Sequence, residues 1–349
     1  MRIALKGSLA YLGRLPPDSR LHLGELEVKA DRVRRSLTRF DQLLASAASF
    51  AQLQAAIARE FAVYRARSAG PQGNGPDPPV LFTGYYEPVV AGRRRADARF
   101  CYPLYRRPDD LLELDLGEFV PRLAGEKLVY RIDRGRVRPY FTRAQIERQA
   151  VLQGRGLELF FLADPVERFF LQVQGSGVLR LDDGTRQRIG YAASNGLPYT
   201  SVGKLLIEDG VLPKDQVSMQ RIEEAFRRMP ERISSYLERN ERFIFFREVE
   251  QGPIGSLGEV LTPGRSLAAD PQVFPPAALA YFRVPRPELL ADGTVGAGAP
   301  LERFAFIQDR GSAIVGPRRI DLFCGTGSQA GALAGRLRHR GELYVLLLR

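Results

Sequence analysis

Tryptophan is absent from this 349-residue sequence, and cysteine and histidine occur only twice each. Cys101 and Cys324 cannot make a zinc site, and His22 and His339 have no metal-ligand spacing, so neither a metal nor another cofactor is expected. No run is long and apolar enough for a membrane span. The opening residues MRIALKGSLAYLGRLPPDSR begin basic but lack the apolar core of a secretion signal and a cysteine to carry a lipid. Lysine is sparse, at Lys6, Lys29, Lys127, Lys204 and Lys214, yet 51 basic against 40 acidic residues leave a net charge of +11, nearly all of it arginine. That balance suits an anionic partner such as nucleic acid, a membrane surface or a carboxylate-rich polymer, although an arginine-preferring genome gives the same bias.

Glycine (34) and proline (24) are plentiful and favour short strands and turns, and the length suits about two domains. Between Asp31 and Arg67, Leu37, Phe40, Leu43, Leu44, Phe50, Leu53, Ile57 and Phe61 recur at helical spacing and predict two helices. SAGPQGNGPDPP (68 to 79) then reads as a loop. The segments VLFTGYYEP, LVYRIDRGRVRPYF, RFFLQVQGSG and RFIFFREV read as strands. TSVGKLLIEDGVLP and SMQRIEEAFRRMPERISSYLERN read as helices, and strands return with SLAADPQVFP, FAFIQD, SAIVG, RIDLFCG and GELYVLLLR.

DLFCGTGSQAGALAG (321 to 335) imitates the glycine turn of a dinucleotide-binding sheet. Such a sheet needs several further βα units, and the residues from Ser328 to Arg349 suffice for one helix turn and one strand. GLPYTSVGKLL fails as a phosphate loop, because six residues separate Gly196 from Gly203 and Leu205 follows the lysine. In RRIDLFCG, strand alternation puts Asp321 and Phe323 on one face. A carboxylate beside an aromatic at a strand end has the surroundings of a general acid, or of a turn cap.

Three aspartate segments decide between these: Asp270 in SLAADPQVFP, Asp309 in FIQDRGSAIVG and Asp321 in RRIDLFCGTG. Their order and spacing resemble the three-aspartate domain that ends the membrane-bound lytic murein transglycosylase A family. LFTGYYEP, FFLQVQGSG and RIGYAASNGLPYTSVGKLL resemble that family too, so the likeness runs from about Val80 to Arg349.

The resemblance implies a mainly β fold, a double-psi β-barrel domain interrupted by a smaller β-rich domain, with peripheral helices and a glycan groove between the two. The borders are expected at 1–101 with 246–349 for the barrel and 102–245 for the insert. It implies cleavage of the β-1,4 bond between N-acetylmuramic acid and N-acetylglucosamine in peptidoglycan, forming 1,6-anhydromuramyl ends. Asp321 is then the acid and base, Asp309 a supporting carboxylate and Asp270 structural. Thr83, Gly84 and Tyr85, with Gln174, Ser176, Tyr191 and Asn195 of the insert, are expected to bind substrate. The partners implied are glycan strands and cell-wall synthesis or division proteins, with no nucleic acid, for a monomer in the periplasm associated with the outer membrane. The family usually has Thr-Gly-Gly where Arg310, Gly311 and Ser312 stand, lysine at Val315 and a large aromatic at Cys324. A hydrolase using Asp309 and Asp321 as a pair, and a non-catalytic glycan-binding protein, are the competing readings on the same fold. An arginine-rich nucleic-acid binder ranks last, since the arginines are scattered through every segment.

Overall fold

The computed structural model describes residues 1–66, 79–123, 125–214, 217–289 and 295–349; the expected loop at 68–79 lies almost wholly outside them. Two compact units result, Met1–Tyr86 with Gln251–Arg349, and Glu87–Glu250.

The first unit opens with a helix absent from the sequence reading, α1 (Arg2–Gly13), which buries Ala4, Leu5, Ser8 and Leu12. A hairpin of β1 (Arg20–Leu23) and β2 (Leu26–Lys29) turns at Gly24, whose φ of +62° favours glycine. The two expected helices follow as α2 (Ala30–Ser46) and α3 (Phe50–Glu60). Ser49 caps α3 by accepting a hydrogen bond from the Gln52 amide at 3.2 Å. The helical run does not reach Arg67, because Phe61 opens a strand, β3 (Phe61–Arg65). The unit's first part closes with β4 (Val80–Glu87).

The insert contributes β5 (Val89–Ala91), β6 (Tyr102–Tyr105), β7 (Leu112–Asp115), β8 (Lys127–Asp133), β9 (Arg136–Pro139) and α4 (Arg143–Glu147). Next come β10 (Glu158–Leu162), α5 (Pro165–Gln174), β11 (Ser176–Arg180), β12 (Arg186–Ser194), α6 (Val202–Glu208), α7 (Met219–Arg228), α8 (Ile233–Glu238) and β13 (Ile244–Val249). Its sheets are β13-β12-β11-β5, β7-β8-β9 and the pair β10-β6. Strand β5 pairs in parallel with β11, so the insert begins structurally at Glu87, whereas the sequence reading sets the border at 102. RFFLQVQGSG is not one strand. Asp164 caps the Val166 amide at 2.6 Å, Pro165 starts the helix, and Gly175 ends it at φ +76° before β11 begins. Val166, Phe169 and Phe170 had the helical spacing that marks this element.

The chain returns to the first unit with β14 (Ser266–Ala268), β15 (Leu279–Leu289), β16 (Val295–Asp309), β17 (Arg319–Thr326), α9 (Ser328–Arg336) and β18 (Arg338–Leu348). Strands β15-β16-β14-β17-β4-β18 run in that order, and β18 pairs back on β15, closing a six-stranded barrel with β3 added outside β18. The fold is therefore mainly β with peripheral helices. Ile320 and Leu322 point into the barrel core with Phe82 and Phe282, whose rings lie 5.5 Å apart. SAIVG is a turn and not a strand, held by an Ile314 amide to Gly311 carbonyl bond of 2.9 Å.

Candidate active site

The shortest barrel strand, β14, lies between β16 and β17. Ala268 pairs with Asp309 on one side and with Asp321 on the other. Two strand spacings separate these aspartates, roughly 9–10 Å along the sheet. The β14–β16 register slips at this point, and the residue skipped is Gln308. Gln308 is fully buried, accepts from the Ser266 hydroxyl at 2.6 Å, and donates to the Ala4 carbonyl (2.7 Å) and Ser8 hydroxyl (3.1 Å) of α1. That bulge lets Asp309 rather than Gln308 stand opposite Ala268.

Strand β4 approaches β17 from its other edge. Thr83 and Tyr85 share a strand face by alternation. The Thr83 hydroxyl donates to Oδ1 of Asp321 at 2.8 Å, and the Tyr85 hydroxyl donates to Oδ2 of Asp309 at 2.8 Å. The Tyr85 ring leans on Phe323, centroids 5.3 Å apart. Gly84 lies between them with helix α9 against it, where a Cβ would come within 2.7 Å of Ala334 Cα and 3.0 Å of Cys324 Sγ.

The two carboxylates differ in how fully they are held. Asp309 Oδ1 accepts from the Ser256 and Arg310 amides, both at 2.9 Å, in addition to the Tyr85 bond on Oδ2. Burial raises its pKa, and these donors oppose the rise. Among the described residues Thr83 is the one side-chain donor to Asp321. Burial pushes Asp321 up to about 6; the Thr83 hydroxyl and the Arg319 cation pull downward, and the Asp309 charge pushes further upward. Asp321, like Asp309, is nevertheless only half-buried, so a group that keeps its proton up to about pH 6 stays accessible. Burial raises the Tyr85 phenol well above its usual value and the Cys324 thiol to about 12, keeping both protonated and weakly reactive.

Asp270 does a different job. Its Oδ1 accepts from the Gln272 amide (2.9 Å) and its Oδ2 from the Gly316 amide (2.7 Å), tying down the turn between β16 and β17. Of the insert residues, Gln174 ends α5 with its Nε2 3.6 Å from Met219 Sδ, Ser176 opens β11 almost buried, and Tyr191 on β12 is exposed. Asn195 departs from the expectation that it binds substrate. It has no exposed surface, donates to the Phe141 and Glu241 carbonyls at 2.9 and 2.8 Å, and accepts from the Phe243 amide at 2.9 Å. Its polar atoms are spent inside the insert, which makes it a strut.

Sequence reasoning missed Ser256. Ser256 reaches Asp309 through its amide and its hydroxyl, from a loop far from it in sequence, and Arg319 stands two positions before Asp321 on the strand face that alternation gives Asp321. Also unforeseen is a cavity of about 210 Å³ lined in part by Tyr11, Ser256, Pro271, Pro276, Asp309 and Arg310. Among the described residues, no group of three His, Cys, Asp or Glu side chains is placed to hold a metal ion.

Two family models match the chain: the MltA specific insert domain over residues 81–247 and the 3D domain over residues 265–347. The membrane-bound lytic murein transglycosylase A of Vibrio cholerae is 33% identical over 292 residues, covering 82% of this chain and 70% of that protein. A crystal structure of the membrane-bound lytic murein transglycosylase from Agrobacterium tumefaciens superposes with a TM-score of 0.80 at 30% identity, covering 100% of this chain and 93% of that one. The structure of Escherichia coli MltA with bound chitohexaose gives a TM-score of 0.68 at 25% identity, covering 90% of this chain and 87% of that one. With the insert-domain and 3D-domain models matched in that order and a relative 33% identical over most of its length, this chain belongs to the membrane-bound lytic murein transglycosylase A family.

Proposed function

We propose that this protein is a peptidoglycan lytic transglycosylase in which Asp321 is both acid and base. The observation that carries the assignment is the contrast between the two central carboxylates. Asp309 accepts from the Ser256 and Arg310 amides and the Tyr85 hydroxyl, while Asp321 has the Thr83 hydroxyl as its partner and holds its proton up to a pH of about 6. In the first step the Asp321 proton passes to the glycosidic oxygen and the bond from C1 of N-acetylmuramic acid to that oxygen breaks. The 6-hydroxyl of the same sugar then attacks C1 and gives its proton to the Asp321 carboxylate. A 1,6-anhydro ring forms, no water is consumed, and Asp321 returns to its starting state. Because the nucleophile is tethered to its electrophile, effective molarity supplies what a second carboxylate supplies in hydrolases.

In this reading Asp309 is a positioning group that fixes Tyr85 and the Ser256 backbone, and Asp270 is structural. The barrel unit carries the chemistry. The insert binds glycan, with exposed Tyr191 better placed for it than Asn195. Bound chitohexaose in the Escherichia coli relative supports a glycan strand as ligand. Since murein lies outside the cytoplasmic membrane, the site of action is the periplasm, at the outer membrane.

The test is mass spectrometry of purified sacculi digested by the parent protein and by Asp321→Ala. Anhydromuropeptides from the parent alone support the assignment. Reducing ends with incorporated solvent oxygen would replace it with hydrolysis by the Asp309 and Asp321 pair, and binding without release would replace it with a glycan-binding role.

A further inference from the structure

The cavity of about 210 Å³ beside Asp309 lies wholly within the first unit. Buried Leu257, Ala269 and Ile307 give it apolar walls, while Ser256 and Arg310 are exposed and keep it open to solvent. Helix α1 adds Tyr11, from a segment outside both matched family models. Apolar walls with a few convergent polar groups are the ordinary form of a small-ligand site. Those polar groups differ in how far they are engaged. Asp309 accepts from the Ser256 and Arg310 amides, the Ser256 hydroxyl and the Tyr85 hydroxyl, so its oxygens are already held. Burial raises the Tyr11 phenol above its usual pKa, and the Arg14 and Arg310 cations both reach it and oppose the rise. Arg14 is spoken for, pairing with Glu259 at 2.6 Å and donating to the Leu257 carbonyl at 2.7 Å. Among the described residues, neither the Arg310 guanidinium nor the Tyr11 hydroxyl has an ion-pair or hydrogen-bond partner. One cation and one hydroxyl, both donors, are left at an apolar cavity, and together they complement a carboxylate.

We propose that this cavity holds a carboxylate of a murein stem peptide, with the Arg310 guanidinium and the Tyr11 hydroxyl on its oxygens and the apolar walls against the carbons that bear it. With murein as the substrate, the reading on which this assignment rests, the N-acetylated sugars are neutral and the carboxylates lie on the peptides. The reach is suitable. Asp309 stands roughly 9–10 Å from Asp321 along the sheet, and an extended peptide spans about 3.3–3.6 Å per residue. A stem of about three residues therefore bridges from the muramyl residue at Asp321 to the cavity beside Asp309. The cavity thus selects strands by their peptide, apart from the chemistry at the sugar.

The experiment titrates the full chain, followed by nuclear magnetic resonance, with the peptide that an amidase releases from murein and with the same peptide after its carboxylates are converted to amides. The parent should bind the acid form at least about tenfold more tightly than the amide form. Arg310→Gln should abolish that preference, Arg310→Lys should retain it, and Tyr11→Phe should weaken it. Arg310 is exposed and Tyr11→Phe keeps the ring, so thermal melting should stay at the parental level, which separates lost binding from lost fold. On murein strands, the parental kcat/KM should fall by a similar factor when the peptides are amidated, and Arg310→Gln should treat both strands alike. Equal affinity of the parent for acid and amide, no binding of either, or a preference that survives Arg310→Gln would each overturn the proposal. Peptide binding as expected, with no anhydromuropeptide released from sacculi, would instead support the cavity and overturn the reading of murein cleavage.

Discussion

Asp309 and Asp321 flank a single residue, Ala268, one across a parallel pairing and the other across an antiparallel one. Two acids of one type thus stand at the same level of the barrel in unequal surroundings. Asp321→Asn should lower anhydromuropeptide release by about 10³-fold, within the range for loss of a positioned acid and base. Asp309→Asn should cost less, about tenfold, because the role proposed for its carboxylate is to hold Tyr85 and the Ser256 backbone in place. Rates on soluble muropeptide chains, measured side by side, check the ranking.

The groups around Asp321 give the pH profile a sign. The acid step needs protonated Asp321, so its rate should fall as pH rises through about 6. Thr83→Val and Arg319→Gln each remove a group that lowers the Asp321 pKa and should move that limb to higher pH. Asp309→Asn removes a charge that raises it and should move the limb to lower pH. Opposite shifts in pH–rate curves are the expected result, and parallel shifts would count against the assignment.

Stability should show the same charge. The folded pKa of Asp321 lies above its unfolded value of 3.8, so its contribution is fully present below pH 4 and is lost as pH rises through about 6. At pH 8 the ionised carboxylate therefore costs folding on the order of 3 kcal/mol. Asp321→Asn should melt higher than the parent at pH 8, by an amount that shrinks towards pH 4, in calorimetry at both values.

Gly84 is required by close approach and not by backbone conformation. In Gly84→Ala the new methyl meets the Ala334 backbone at 2.7 Å, so either α9 or β4 must shift. A loss of about 1–3 kcal/mol in denaturant unfolding is expected, with reduced turnover because Thr83 and Tyr85 sit on either side.

Asn195→Ala should separate support from binding. Removing this side chain strands two carbonyls and two amides inside the insert, for a loss of about 2–4 kcal/mol. Sacculus affinity of the folded fraction should remain at the parental level, as measured by pull-down at low temperature.

Much of the barrel half of the site was legible because its chemistry sits in side chains at strand ends. The alternation around Asp321 and the hydroxyl in FTGYY are visible as letters. What stayed hidden acts through backbone or tertiary context. Ser256 contributes an amide, and Gln308 makes the bulge only because α1 covers it. Helix α5 passed for a strand because its phenylalanines are as apolar as a β core, although Asp164, Pro165 and Gly175 bracket a helix. Asn195 looked like a ligand contact because an asparagine before glycine reads as a surface turn, while its side chain turns inward to bond four backbone groups.

The insert is spliced in immediately after β4, so Thr83 and its partner Asp321 are 238 residues apart along the chain. The ring around them closes only when β18 joins β15 and β4. A nascent or cut chain that stops before Arg338 therefore owns the insert but no closed barrel around Asp321. In a family of wall-cleaving enzymes, the insert is thus synthesised before the strand that closes the barrel around Asp321.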